Sequence, residues 1–414
     1  MDATPLRIQD GSVRIYRLFD VADEIDLGRA ESLAAASGSR RLRLESPHTH
    51  SAIEIPHPPV HLRLGVRALE LRSGPRSVEV RASVANTGVV GVLFELPIAP
   101  GTALEDLLPL AEELLDGPTP ELDALARRES EELARALVPA LSKPHSWEGL
   151  ETNTVFLVKA FDRPVTGAEL LARAPLARLL LGERDPTPLS AAEREDVLKH
   201  HYSYLETDLA VIDWNSAFVH DPAGRTDVAD LLEFATAHLL ELRYYDQLLD
   251  RELRRIYDEI AALGGPRLLT RRYERLLRQT ASLLLELSET VERLENAVKI
   301  VGDFYLARLY QAAVGRFRLP AWQQSVLRKQ RLLADVNRLL SDTAASSWRS
   351  RWSSSSPGRS STPSSAARRA GPGRLPAGAR RSVILQARLR FLDLRRPWIP
   401  FPCPFDGQKN AIGC

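Results

Sequence analysis

The strongest constraint on the fold is an apolar residue at every seventh position in two long segments between Thr226 and Ala313. In each segment a second such row is offset by four residues, which places both rows on one narrow face of an α-helix. Gly264-Gly265-Pro266 separates the two segments, and so short a link favours antiparallel neighbours. We therefore predict a long antiparallel helical hairpin, coiled-coil-like, followed by a third helix that ends near Leu340. The residues that define its interaction seam are Leu242, Asp246, Leu249, Leu284 and Val291.

Asp246 interrupts the apolar rows of this seam. A carboxylate buried among apolar side chains costs free energy unless it is paired or hydrated. One interpretation is an ion pair with an arginine of the partner helix, or a local opening of the seam. The other interpretation is a ligand or ion site between the helices.

The first 220 residues carry a mixture of strand-like and helix-like patterns. Strands are predicted at Ser12–Leu18, His61–Leu71, Ser77–Val84, Gly88–Ile98, Thr154–Phe161 and Tyr204–Asp213. Helices are predicted at Ala103–Leu115, Pro120–Leu141 and Ala191–His201. Capping boxes, Thr102 with Glu105 and Ser190 with Glu193, mark the starts of the first and last of these helices.

These patterns predict an α+β protein with three parts. Residues 1–220 form a mixed α/β domain, a sheet with helices packed on it. Residues 226–342 form the helical hairpin and the third helix, and residues 343–414 form a low-complexity basic tail.

Four histidines crowd one short segment, and they are the weak candidates for a metal site in the α/β domain. They are His48, His50, His57 and His61. A His-x-His pair on a strand points both rings to one face, which is a start for zinc binding. Prolines between the two pairs break the strand, so the other interpretation is a set of solvent-exposed loop and strand histidines. We find no phosphate-binding loop, nucleophile elbow or metalloprotease motif, so we predict no catalytic residue and no cofactor.

Charge and cysteine content narrow the class of protein. Residues 343–414 contain 13 basic and 2 acidic residues, so the remaining body, with 42 basic and 52 acidic residues, is acidic. An acidic body gives no support for nucleic-acid binding. The only cysteines, Cys403 and Cys414, lie in the tail, which argues against a disulfide-stabilised secreted domain. Without a visible signal peptide or a spanning apolar run, we expect a cytoplasmic protein.

Three segments, Leu205–Val219, Val228–Ala235 and Glu241–Asp250, resemble the bacterial branch of the YagE / "required for meiotic nuclear division" family. The resemblance covers roughly residues 150–340. That family is a domain of unknown function, so the resemblance implies an architecture and no catalytic residues. It implies an N-terminal α/β domain, long helices and a membrane-anchoring C-terminus, and its mitochondrial members are associated with the inner membrane and organellar translation.

The chain departs from that family's pattern near Thr343, where Ser, Arg, Pro and Gly replace the apolar period. One hypothesis is an out-of-frame translation that has replaced a membrane hairpin, because only 6 of the 55 basic residues are lysine, as in GC-rich genes. The alternative is a basic, disordered tail that contacts nucleic acid or anionic lipid. Translation of the gene in the other two frames distinguishes them.

Two functions remain open from the sequence, with a third that is less favoured. The first is a non-enzymatic scaffold or interaction protein that binds a protein partner, or itself, through the seam and is membrane-anchored in intact relatives. The alternative is an enzyme, or a ligand- or metal-binding protein, with a site in the α/β domain or near Asp246. Nucleic-acid binding through the tail is the third.

Overall fold

The computed structural model describes residues 5–34, 38–42, 44, 53–262, 269–296, 299–300 and 305–354. Contacts divide the chain into two compact units. The first contains residues 1–253 and 275–340, and the second contains residues 254–274 and 341–414. The sheet, the cavities and all side-chain contacts discussed below belong to the first unit.

Most strands of the first unit join one large sheet. The fourteen strands found in the described residues are β1 Arg7–Asp20, β2 Ala22–Ile25, β3 Arg40–Arg41, β4 Ile53–Glu54, β5 Val60–Leu71, β6 Gly74–Val84, β7 Val89–Pro97, β8 Thr102–Ala103, β9 Leu141–Pro144, β10 Glu151–Phe161, β11 His201–Tyr202, β12 Leu209–Ile212, β13 Ser216–His220 and β14 Lys299–Ile300. Their order is β11-β12-β13-β10-β1-β7-β6-β5-β3, with β8 paired to one end of β1. Strands β10 and β13 are parallel, whereas β1 pairs antiparallel with both β10 and β7. Two short ladders, β2 with β9 and β4 with β14, lie outside this sheet.

Helices follow or connect the strands. They are α1 Leu27–Leu33, α2 Leu108–Leu115, α3 Pro120–Ala136, α4 Gly167–Arg173, α5 Leu176–Leu181, α6 Ala191–Leu198, α7 Asp227–Ala262, α8 Leu269–Asn296, α9 Tyr305–Arg316 and α10 Leu319–Ser354. The protein is therefore a mixed α+β structure with one large sheet and several helices. This confirms the predicted fold class at that level and the sheet domain in the N-terminal half.

Strand β1 is covered on both faces, which explains its central place. Successive side chains of a strand point to opposite faces of the sheet. Val13 and Ile15 lie in the main apolar core together with Leu108 of α2 and Leu122 of α3. The alternate residues face α7, since the Arg14 guanidinium reaches Asp230 of that helix.

Polar contacts fix the directions of three long helices. Along α7 and α10 the contacts advance together: Ser325 donates a hydrogen bond to Asp246, and Lys329 lies 2.8 Å from both Asp246 and Asp250. These two helices therefore run parallel. Between α8 and α10 the order reverses, because Ser288 contacts Gln330 and Thr280 contacts Asn337. Helix α8 therefore runs antiparallel to α10.

Several element predictions agree with the structure. The Ser190 hydroxyl accepts the backbone N–H of Glu193, as the capping box predicts. The predicted cap at Thr102 is wrong, because Asp106 accepts the Ala103 N–H and a 3₁₀ turn at Leu104–Leu107 precedes α2. The strand predicted at Tyr204–Asp213 is only Leu209–Ile212, because the Asp208 carboxylate accepts two backbone N–H groups of the preceding turn.

Two predicted boundaries in the helical part are also wrong. The second helix was expected to continue to Ala313, but α8 ends at Asn296 and residues Lys299–Ile300 pair with β4. A β-branched run at this point favours a strand once a partner strand is present, and tertiary pairing overrides helical periodicity. The third helix was expected to end before Thr343, but α10 continues to Ser354. The rest of the predicted tail, residues 355–414, lies outside the described residues.

Candidate functional site

A buried network of charged side chains lies between the sheet and the first part of α7. Arg14 of β1 has only 5% of its side chain exposed, and it lies 3.4 Å from Glu95 of β7 and 3.6 Å from Asp230 of α7. Arg81 of β6 contacts the other oxygen of Glu95 at 3.0 Å. The Thr226 hydroxyl donates to Asp230 at 2.8 Å, which holds that carboxylate at the start of the helix. The network thus connects three strands to the first turn of α7.

A second carboxyl group of α7 enters the sheet one turn later. Glu233 is buried and accepts a hydrogen bond from the Ser83 hydroxyl of β6. Burial raises the pKa of Glu233, which favours its neutral form. Gly91 of β7 leaves room for this carboxyl, because a Cβ there would lie 2.6 Å from a Glu233 oxygen and 2.5 Å from the Ser83 hydroxyl. The lack of a side chain at Gly91 in the sheet therefore makes room for the Glu233 carboxyl of the helix.

A cavity of about 220 Å³ opens beside these groups. Its sheet side is formed by Arg14, Arg40, His61 and Arg81, and its helix side includes Thr226, Asp230 and Glu233. Polar and charged groups from the sheet and from the start of α7 converge on this one space. It is the candidate functional site of the protein.

A second set of contacts, centred on His145 and named the histidine clasp, links the middle of α7 to the other end of β1. His145 lies 3.0 Å from Asp20 and 3.5 Å from Asp23, and its ring stacks on Tyr244 of α7 at a centroid distance of 4.6 Å. Trp147 donates its indole N–H to Gln247 at 3.1 Å. Together with the Arg14 network, this clasp connects α7 to the sheet at two places along the helix.

The stability of this clasp is expected to depend on pH. Burial would lower the pKa of His145, but hydrogen bonds and charge from Asp20 and Asp23 outweigh burial and raise it to about 9. Because the pKa of His145 is raised from 6.5, its protonated form stabilises the folded protein. This contribution is fully present below about pH 6.5 and is lost as the pH rises through about 9. We expect a loss of roughly 1–2 kcal/mol, allowing for partial solvent exposure. Urea denaturation at pH 7 and pH 9.5 measures it, and the loss should be smaller in His145→Gln. An equal loss in both proteins would contradict the prediction.

Asp246 is held by helix α10. Its carboxylate accepts a hydrogen bond from Ser325 at 2.7 Å and lies 2.8 Å from the ammonium group of Lys329. The sequence favoured an arginine of the partner helix, whereas the structure places a lysine of the third helix there. All three side chains are partly or largely buried, so the pair is sheltered from screening.

The remaining seam residues occupy different environments. Leu249 is fully buried and Leu242 is 7% exposed, so the α7 part of the seam is covered within the chain. Leu284 of α8 is half-buried. The side chain of Val291 lies outside the described residues.

The four candidate metal-binding histidines do not form a described cluster. His57 is exposed in the segment before β5, whereas His61 is a half-buried residue of β5 that lines the cavity. His48 and His50 lie outside the described residues. Among the side chains that the structure does describe, there is no group of three or more His, Cys, Asp or Glu suited to a metal ion.

The sequence did not predict the Arg14 network or the histidine clasp. Arg14 and Tyr16 alternate with apolar residues in β1, a pattern that by itself indicates a solvent-facing side. The available signal was on α7, where Asp230 and Glu233 fall on an otherwise apolar face beside Ala229, Leu232 and Ala237. Acidic residues on a buried helix face call for buried basic partners.

Fold and site define a class: an α+β sheet protein with a polar cavity under a long helix. A family model described as "Uncharacterized protein MJ0711, N-terminal domain" matches residues 10–227, just over half of the 414 residues. The chain belongs to this family. The match ends at Asp227, the first residue of α7, so it covers the sheet domain.

A relative from Methanocaldococcus jannaschii, "Uncharacterized protein MJ0711", is 22% identical over 207 residues. The alignment covers 50% of this chain and 62% of the relative's length. No solved structure matches the chain. None of the described helices is both long enough and apolar enough to cross a membrane.

The resemblance to the YagE / "required for meiotic nuclear division" family was wrong. The family match is to the MJ0711 N-terminal domain, and nothing in the comparisons points to the other family. Two of the three segments that suggested it, Val228–Ala235 and Glu241–Asp250, lie in α7, beyond the matched residues. A heptad pattern on a long helix recurs in unrelated proteins, so it is weak support for a family. The membrane anchor inferred from that resemblance loses its basis.

Proposed function

We propose that this protein is a non-enzymatic interaction protein in which the sheet domain anchors long helices that bind a protein partner. The length of the helices carries the proposal. Helices α7 and α10 have 36 residues each and α8 has 28, so they measure about 54 Å, 54 Å and 42 Å. Most helices of globular domains have about three turns. Helices this long are typical of proteins that present an extended surface to a partner.

We further propose that α7 and α8 form an antiparallel, coiled-coil-like hairpin with α10 beside it. Its support is the order of contacts, which makes α7 parallel to α10 and α8 antiparallel to α10. Thr280, at a seam position of α8, is buried and donates a hydrogen bond to Asn337 of α10. A polar pair at a seam position selects one register of the helices at some cost in stability.

The partner surface proposed from the sequence needs revision in one respect. Leu242 and Leu249 are already covered within the chain, so a partner that used them would have to displace α7. The exposed side of α8, which faces away from its buried leucines, is a better candidate for the partner surface. It carries Leu285, which is 63% exposed, while Leu276 and Leu287 of the same helix are each 1% exposed. We propose that α8 binds a second copy of this chain, or another protein, through the side that contains Leu285.

A matched pair of variants tests this surface. Leu285→Glu adds a charge on α8, and Val66→Glu adds the same charge at an equally exposed residue of β5. Light scattering after size exclusion, over a range of protein concentrations, measures self-association. We expect the wild type and Val66→Glu to associate equally, and Leu285→Glu to be at least about tenfold weaker, as loss of a buried contact predicts.

Two results would contradict self-association through α8. One is a wild-type protein that stays monomeric at every concentration, and the other is an equal loss of association in both variants. The expected cytoplasmic location of the protein stays a prediction.

A further inference from the structure

The cavity beneath α7 presents guanidinium groups from three different strands. Arg14 extends from β1, Arg40 from β3 and Arg81 from β6, and all three line the same space of about 220 Å³. The helix side offers the Thr226 hydroxyl and the Asp230 carboxylate. Because the strands of the sheet are fixed by their ladders, these groups converge before any ligand arrives.

Arg14 has more hydrogen-bond donors than the described residues satisfy. A guanidinium group carries five N–H donors. The Arg14 nitrogens lie 3.4 Å from Glu95 and 3.6 Å from Asp230, both longer than a good N–H···O hydrogen bond. The Arg14 Nε atom is buried and has no acceptor among the described residues. The neighbouring Tyr16 hydroxyl is also fully buried and interacts with this guanidinium group.

Unsatisfied buried donors destabilise a fold, and a bound ligand that accepts their hydrogen bonds is one explanation for their presence. An acceptor-rich group in the cavity would add hydrogen bonds to the guanidinium groups that line it. Three guanidinium groups line the cavity, against the carboxyl groups of Asp230 and Glu233, so its lining favours an anion over a cation. Asp230 lies 3.6 Å from Arg14, and Arg14 and Arg81 share Glu95, so part of this positive charge is already paired. Burial raises the pKa of Glu233, so this carboxyl adds little negative charge to oppose an anion.

We infer that the cavity under α7 binds a small oxyanion, the carboxylate or phosphate group of a metabolite, through Arg14, Arg40 and Arg81. Such anions are the usual partners of converging arginines, because the planar guanidinium fork matches two oxygens at once. The size of the cavity limits the ligand to a small molecule. This site is distinct from the partner surface on α8 and does not depend on it.

The test is isothermal titration of the full chain with sodium succinate and, separately, with inorganic phosphate, against sodium chloride at matched ionic strength. We expect saturable binding of one anion with a Kd below about 10 mM, and the anion that binds identifies the group. Loss of one charge-assisted hydrogen bond should weaken binding at least about tenfold in Arg81→Gln and in Arg40→Gln. Arg63→Gln is the control, because Arg63 is exposed, lies directly opposite Arg81 on β5 and does not line the cavity.

Circular dichroism and the Tm of each variant separate an effect on binding from an effect on folding. The three variants lie on different strands, so a folding defect in one does not imply a defect in the others. If one cavity variant fails to fold, the other still decides. The inference is overturned if neither anion gives more heat than chloride. It is equally overturned if a folded cavity variant binds as tightly as Arg63→Gln and the wild type.

Discussion

Replacement of Gly88 by alanine is expected to remove at least about 3 kcal/mol from the free energy of unfolding, or to prevent folding. Gly88 has φ 100° in the turn between β6 and β7, where an L-residue is strained. A Cβ at this position would lie 1.7 Å from the carbonyl oxygen of Ala22 and 2.8 Å from its carbon. The Gly88 carbonyl also accepts the N–H of Val21, so the two backbone segments cannot separate without losing a hydrogen bond. Urea denaturation followed by circular dichroism measures the effect.

Gly74 provides the matched control for this variant. It has φ 101° at the start of β6, but an added Cβ would meet nothing within 4 Å. Gly74→Ala therefore carries the backbone strain alone, which costs about 1–2 kcal/mol. Equal losses in the two variants would show that the close approach of Gly88 to Ala22 is unimportant.

Removal of the Asp123 carboxylate is expected to cost about 2–3 kcal/mol of stability. Arg17 of β1 is buried on the sheet face opposite α7, and it donates to Asp123 at 2.6 Å, to Thr119 at 2.9 Å and to the Tyr16 carbonyl at 3.0 Å. Burial lowers the pKa of Arg17, which reflects the cost of its buried charge. Asp123→Ala leaves that charge without a counterion, although the 35% exposure of Asp123 moderates the loss.

The double variant Arg17→Met, Asp123→Ala separates a lost charge pair from a lost contact. Because methionine needs no counterion, the double variant should be more stable than Asp123→Ala alone. Chemical denaturation of the wild type, Arg17→Met, Asp123→Ala and the double variant completes the cycle. If Asp123→Ala loses less than about 0.5 kcal/mol, the ion pair is not a source of stability.

The sequence predicted the parts of the fold that one local pattern controls. The seven-residue repeat correctly identified the long helix α7, where Leu242 and Leu249 are buried, and apolar alternation identified β5 and β6. Prediction from the sequence failed where pairing with a distant segment determines the secondary structure. Residues Lys299–Ile300 continue a helical repeat, but pairing with Ile53–Glu54 makes them a strand.

The site was missed for a related reason. Arg14 lies in an alternating strand, a pattern typical of a solvent-facing side, yet α7, more than two hundred residues later in the chain, covers it. The network is recognised only when the buried arginine of β1 is paired with the acidic residues of α7. That pairing depends on which face of the sheet α7 covers, which a single sequence does not specify. The cavity, which forms between those same elements, could not be predicted either.

Hydrogen exchange of the backbone amides tests the central claim most directly, namely that α7 and the sheet form one cooperative unit through buried charges. We predict that the backbone amides of residues 231–253 in α7 exchange as slowly as those in β1 and β10. The free energy of opening derived from these rates should equal the free energy of global unfolding. Fast exchange of these α7 amides, while β1 and β10 remain protected, would show a helix that opens independently of the sheet and would contradict the account.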